Sequence, residues 1–145
     1  MARRKGFTIM ELIVVLAIAV LILAISIVFF SPSAAKSRDA RREQDMKSVQ
    51  NALDLYINQK GTYPACAEKI VIDGNTDCLS SLLLSENTIE AVPIDPLYKG
   101  AGDCGAASAR VYCYKSTDGL SYELSYDLET DSVQGKAPGW QTLTP

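Results

Sequence analysis

Leu12-Ile13-Val14-Val15-Leu16-Ala17-Ile18-Ala19-Val20-Leu21-Ile22-Leu23-Ala24-Ile25-Ser26-Ile27-Val28-Phe29-Phe30 decides how the rest of the chain is read. Of these nineteen residues only Ser26 is polar. At about 1.5 Å rise per residue a helix of this length spans roughly 28 Å, close to the hydrocarbon thickness of a bilayer. The run therefore reads as a membrane-spanning helix. A cleaved secretory signal is the alternative, with Met1–Lys5 as its basic start and Ser33-Ala34-Ala35 as its cleavage site. The apolar block exceeds the roughly 7–15 residues of such a signal, which favours the spanning helix.

Outward from this run the chain is polar and its charge is segregated. The 145 residues are 48% apolar with a net charge of −3, an average over two materials. Arg3, Arg4 and Lys5 precede the run with no acid among them. Residues 36–60 carry six basic and four acidic groups, and residues 61–145 five basic and twelve acidic, a net −7. An acidic head repels a polyanion, so no nucleic-acid partner is expected. The leading basic cluster places the N-terminus in the cytoplasm, although Lys36, Arg38, Arg41 and Arg42 beyond the far end weaken the asymmetry.

The chain contains no histidine. That excludes serine and cysteine triads, His-ligated zinc and imidazole general bases. No Gly-rich phosphate loop and no nucleophile–base motif is present, so neither an enzyme nor a cofactor is expected.

Glu11 stands at the edge of the apolar run, where a carboxylate costs up to roughly 2.5–3.5 kcal/mol at membrane depth. Thr8-Ile9-Met10-Glu11 has capping-box spacing, with Thr8 as N-cap and Glu11 at the third helical position. Headgroup exposure is a second reading, and a cationic partner within the membrane or an assembly is a third. A chain cut after Gly6 would carry its ammonium on Phe7, four residues or one helical turn from Glu11.

Arg3-Arg4-Lys5-Gly6 followed by Phe7-Thr8-Ile9-Met10-Glu11-Leu12-Ile13-Val14-Val15 resembles the class III signal of type IV pilins and type II secretion pseudopilins. In order, it presents a basic leader, Gly, Phe, Glu at the fifth position after the Gly, and an apolar helix. The resemblance implies cleavage after Gly6 by a prepilin peptidase, N-methylation of Phe7, and Glu11 as the assembly carboxylate. It implies a single-pass precursor in the cell membrane, in contact with lipid and with its head extracytoplasmic. An inner-membrane assembly platform would then pack it into a helical homo-oligomeric filament. Arg38-Asp39-Ala40-Arg41-Arg42 through Asn51-Ala52-Leu53-Asp54-Leu55-Tyr56 to Gly61-Thr62-Tyr63-Pro64 is similar to the second half of the spine helix in major pseudopilins. Further on, Pro93-Ile94-Asp95-Pro96 is a scattered match. A pilus, a secretion pseudopilus and a DNA-uptake filament would all present these features. A membrane-anchored binding module that is never processed is the alternative function.

The expected organisation is a leader at 1–6, an apolar transmembrane and assembly helix at 7–35, an amphipathic continuation at 36–60 and a head at 61–145. Met46, Val49, Leu53 and Tyr56, spaced 3, 4 and 3, form one helical stripe beside Ala52. Lys60-Gly61 and then Pro64 end the helix. A helix from Phe7 to Lys60 would be roughly 80 Å long. Pro32 predicts a kink or break. The basic run 36–42 reads as a solvated face of mixed charge, in preference to a site for anionic lipid headgroups.

In the head, Cys66, Cys78, Cys104 and Cys113 include no C-x-x-C pair, which with the missing histidine disfavours zinc. Three disulfide connectivities are open. Pairing 66–78 and 104–113 closes the shortest loops and is expected on chain-entropy grounds. Disulfides place the head in an oxidising compartment. Ile70-Val71-Ile72 reads as a strand before an Asp73-Gly74 turn, and Leu79–Leu84 as a short helix or buried run. Residues 101–109 read as loop. A hairpin follows, with Arg110–Ser116, a turn at Asp118-Gly119, and Tyr122, Leu124, Tyr126 and Leu128 alternating with polar residues. Its apolar face needs a cover, which the Met46–Tyr56 stripe can supply. The tyrosines are read as packing residues. Asp127, Glu129 and Asp131 invite a calcium reading, but Ser132 and Pro138 stand where an EF-hand needs Gly and Glu. Some major pseudopilins carry calcium near their C-terminal loop, and this stretch does not match them closely. A solvated acidic turn is expected, and no metal. The fold class is therefore α+β, a long N-terminal helix whose second half packs against a small antiparallel sheet.

Overall fold

The computed structural model describes residues 7–145, with the backbone alone over residues 25–32. Met1–Gly6, and with them the expected cleavage position, lie outside the described residues. The elements are α1 (Ile9–Lys60), β1 (Cys66–Val71), α2 (Cys78–Ser85), β2 (Cys113–Ser116), β3 (Glu123–Leu128) and β4 (Gly139–Leu143). The chain divides into two units, residues 1–34 and residues 35–145.

The first unit is helical from Ile9 onward. Of the kink or break expected at Pro32, the break is absent, since α1 carries on through that residue. A proline inside a helix removes one backbone donor and strains one turn, which a helix of 52 residues can absorb. Among the described residues no helix is long and apolar enough to cross a membrane. Described side chains of the apolar run end at Ala24, and the rest of the expected span, Ile25–Phe30, lies in the backbone-only stretch.

In the second unit the strands form one antiparallel sheet in the order β1-β2-β3-β4. Met46, Val49, Ala52, Leu53 and Tyr56 of α1 are buried in one core with Tyr114, Leu124, Tyr126 and Leu128 of the sheet and Leu79 and Leu83 of α2. Gly61 ends α1 with φ 79°, which an L side chain adopts only under strain, and its N–H bonds the Ile57 carbonyl at 2.7 Å. Asp77 caps α2, its Oδ1 accepting from the Ser80 N–H at 2.9 Å.

Three strands differ from the sequence reading. β1 begins at Cys66, four residues before the expected Ile70, and its register shifts between the two. Ala67, Glu68 and Lys69 are exposed, as suits an edge strand, and so gave no apolar alternation. β2 starts at Cys113 and not at Arg110, whose φ of 51° is incompatible with an extended strand. β4 has no counterpart in the sequence pattern. Its sequence, Gly-Trp-Gln-Thr-Leu, has little alternation, and it joins the sheet through five registered pairs with β3.

That fourth strand makes β3 central, and both its faces are covered. Leu124, Tyr126 and Leu128 face the helix core, while Ser125 and Asp127 on the opposite face are also buried. Their cover is the 104–110 loop, tied down at three points. Cys104 is bonded to Cys113, Arg110 Nη1 lies 2.9 Å from Asp127 Oδ2, and Trp140 Nε1 donates to the Ala106 carbonyl at 3.0 Å. The second disulfide joins Cys66 at the start of β1 to Cys78 at the start of α2. Each closes a short loop, of separation 12 for Cys66–Cys78 and 9 for Cys104–Cys113.

Leu53 is fully buried and Leu55, two positions on, is 51% exposed. Leu53→Ala is therefore expected to lower the unfolding free energy of the head by about 2–5 kcal/mol. Leu55→Ala should cost no more than about 0.5 kcal/mol. Thermal unfolding of the full chain in detergent separates the two.

Candidate assembly site

Thr8 opens α1. Its Oγ1 accepts from the Glu11 N–H at 3.2 Å, and its carbonyl accepts from the Leu12 N–H at 3.2 Å. This is the N-cap half of the capping box. Phe7 is 75% exposed, and the side chains of residues 9–24 are exposed on every side of the helix. All of them but Glu11 are apolar. A helix that is apolar all round has no face to turn toward water, so these residues need either lipid or protein around them. A carboxylate one turn inside that surface is the group whose charge would have to be answered there.

The stretch just after residue 35 does other work. The buried stripe Met46, Val49, Leu53, Tyr56 continues backward at the same 4 and 3 spacing to Arg42 and Asp39, both fully buried. Arg42 Nε lies 2.7 Å from Asp95 Oδ2, and its Nη1 lies 2.8 Å from Asp39 Oδ1 and 2.7 Å from Glu129 Oε1. Arg38 grips Glu129 with two bonds, of 2.7 and 2.6 Å. Asp39 in turn accepts the backbone N–H groups of Glu129 and Thr130 and the Thr130 hydroxyl. Asp95 also accepts the Leu97 N–H at 2.8 Å. The cluster thus pins the end of β3 and the 95–97 loop to the helix.

Arg38 and Arg42 are therefore neither a solvated face nor open to lipid headgroups. Lys36 and Arg41 of the same run remain exposed. Nor are Asp127 and Glu129 a solvated acidic turn, because Arg110 takes the first and Arg38 and Arg42 take the second. Only Asp131 is exposed. Among the described residues no group of His, Cys, Asp and Glu is arranged to hold a metal ion.

The tyrosine rings pack in the core, and their hydroxyls reach polar groups at its rim. Tyr112 donates to Asp45 at 2.8 Å, Tyr126 bonds Glu43, Tyr122 pairs with Gln50 at 3.2 Å, and Tyr114 donates to the Pro64 carbonyl at 2.9 Å. Sequence reasoning missed Asp39, Asp95 and Thr130 as structural partners. The signal for Asp39 and Arg42 in the sequence is the stripe itself, which continues at the same spacing into charged residues.

Charge states follow from these contacts. The hydrogen bonds from Arg38 outweigh burial at Glu129 and hold its carboxyl down at about 2. At Asp39 burial opposes the charge, but the Glu129 amide, Thr130 and Arg42 prevail and its pKa is lowered. Burial raises the carboxyl of Asp127 in spite of Arg110, and that of Asp45 in spite of Tyr112. A lowered carboxyl stabilises the fold above its unfolded pKa and loses that contribution as pH falls through its folded value. Raised carboxyls act in the opposite sense. The Thr76 hydroxyl and nearby backbone amides likewise hold the Asp73 carboxyl down, and the bond from Lys69 holds down that of Glu123, so the acid loss is shared among Glu129, Asp39, Asp73 and Glu123. Glu129→Gln should shrink that loss by about 2 kcal/mol, read from denaturant unfolding at stepped pH.

Comparison with known proteins bears on the N-terminal segment. No curated protein and no solved structure matches the chain. Residues 1–27 match the family described as the prokaryotic N-terminal methylation motif. This segment holds Gly6, Phe7, the Thr8 cap, Glu11 and most of the apolar run, so the chain carries the class III signal of type IV pilins and pseudopilins.

Proposed function

We propose that the protein is a structural subunit of a type IV pilus-like or pseudopilus filament, made as a prepilin and held in the cell membrane by its apolar helix with the head extracytoplasmic. The observation that carries this reading is the methylation motif heading a helix that is apolar on every described side, with Glu11 the one charge among residues 7–24. A prepilin peptidase cleaves after Gly6 and the new N-terminus on Phe7 is methylated. The assembly platform then draws the helix from lipid into a bundle of copies. Apolar contact with lipid is exchanged for apolar contact with neighbours, so the gain comes from close packing and from polar groups that find partners. Glu11 supplies the polar term. Its carboxylate, costly among hydrocarbon, is offset by the Phe7 ammonium of an adjacent copy, and that pairing fixes the axial register. The head stays outside, where its two disulfides persist. A motif of this kind belongs to structural subunits, and no catalytic role is proposed.

Glu11→Ala tests this assignment. Pairing worth even half of the roughly 2.5–3.5 kcal/mol cost of a buried carboxylate corresponds to about tenfold in assembly. The variant is expected to lower the yield of sheared filaments by at least that factor, while the membrane-held chain keeps both disulfides. A wild-type yield of filaments contradicts it.

A further inference from the structure

Two adjoining cavities on the head, of about 320 and 380 Å3, share Ser108 and Arg110 as a common wall. Leu97 and Lys99 line the first, and Pro138 and Trp140 the second. Three non-glycine residues among those described have positive φ, and two of them are Ser108 at 56° and Arg110 at 51°. Such conformations cost on the order of 1–3 kcal/mol each and persist where the surroundings enforce them. Here the enforcement comes from the Cys104–Cys113 bond, the Arg110–Asp127 pair and the Trp140–Ala106 bond.

The unspent hydrogen-bonding capacity of this groove is cationic. Arg110 makes one side-chain hydrogen bond, to Asp127, which leaves four of its five N–H donors. Lys99 is exposed and forms no ion pair among the described residues. The carboxylates that line the groove are already taken, Asp127 by Arg110 and Glu129 by Arg38 and Arg42. What Lys99 and the remaining Arg110 donors lack among the described residues is an acceptor of their own, and a guanidinium fork flanked by an ammonium suits a carboxylate. Elsewhere on the same head, Glu68, Glu90 and Asp131 are exposed and form no ion pair among the described residues. Trp and Arg are also the side chains that most often anchor protein contacts.

We propose that this groove is a head-to-head contact that receives an exposed carboxylate from a second copy of the chain. The proposal rests on the filament reading. A filament needs such an arrangement, in which one patch meets a different patch on the next copy and the contact repeats without closing. The pairing sets which heads meet and makes the contact sensitive to salt.

Sheared filaments of the full chain, treated with a zero-length carbodiimide and digested, are expected to yield an intermolecular amide between Lys99 and an acidic residue. Lys99→Glu should lower filament yield about tenfold, with the amount of mature subunit in the membrane and its two disulfides unchanged, and Lys99→Arg should restore the yield. Wild-type filaments in which other lysines cross-link between copies and Lys99 does not overturn the contact and leave the filament standing. A wild-type chain that forms no filaments overturns both.

Discussion

Water has no favourable way to cover residues 9–24 of α1, whose side chains point outward on every side and are apolar except at Glu11. Full burial of one such Leu, Ile or Val is worth about 1.5–3 kcal/mol. A run of them is a demand on the surroundings that one small head cannot meet. On the proposed reading, lipid meets the demand before assembly and other copies meet it afterwards. On the same reading Glu11 makes the second state specific. Apolar packing alone would let helices slide along one another, whereas a carboxylate that needs a cation accepts few axial positions.

The head poses a different problem, which is how a thin sheet stays fixed to the helix that carries it. Part of the answer is the stripe from Met46 to Tyr56 packed on β2 and β3. The rest is electrostatic. Arg42 is fully buried and bonded to carboxylates from three parts of the chain, and Arg38 shares one of them. A buried cation with these partners adds little net stability over an apolar replacement, but removing Arg42 alone would leave the buried carboxylates of Asp39 and Asp95 without their cation. The cluster therefore acts through specificity, holding the β3 end and the 95–97 loop to one register on the helix. The Cys104–Cys113 disulfide and the 104–110 loop do the same on the far face of the sheet, covering Ser125 and Asp127.

Much of this was legible in the sequence where a periodic pattern existed. The helix stripe, its stop at Lys60-Gly61, the Tyr122–Leu128 alternation and the short apolar run at α2 each have a local cause, and the leader has a motif. Illegible parts depended on partners distant in sequence. β4 exists because β3 offers it a ladder, not because its own side chains alternate. Glu129 and Asp127 look like a solvated acidic patch until the chain brings Arg38, Arg42 and Arg110 to them from as far as 91 residues away. Arg38 and Arg42 looked free for the same reason. Glu11 and Phe7 were readable as types and spacing, and the partner proposed for them in another copy lies beyond what one chain can display.

The most direct measurement is the intact mass of the protein taken from its native membrane or from sheared filaments, with and without reductant. A processed subunit begins at Phe7, carries one methyl group, and gains four hydrogens on reduction of its two disulfides. A chain that retains Met1–Gly6 would contradict this processing and describe a head anchored in the membrane but never processed.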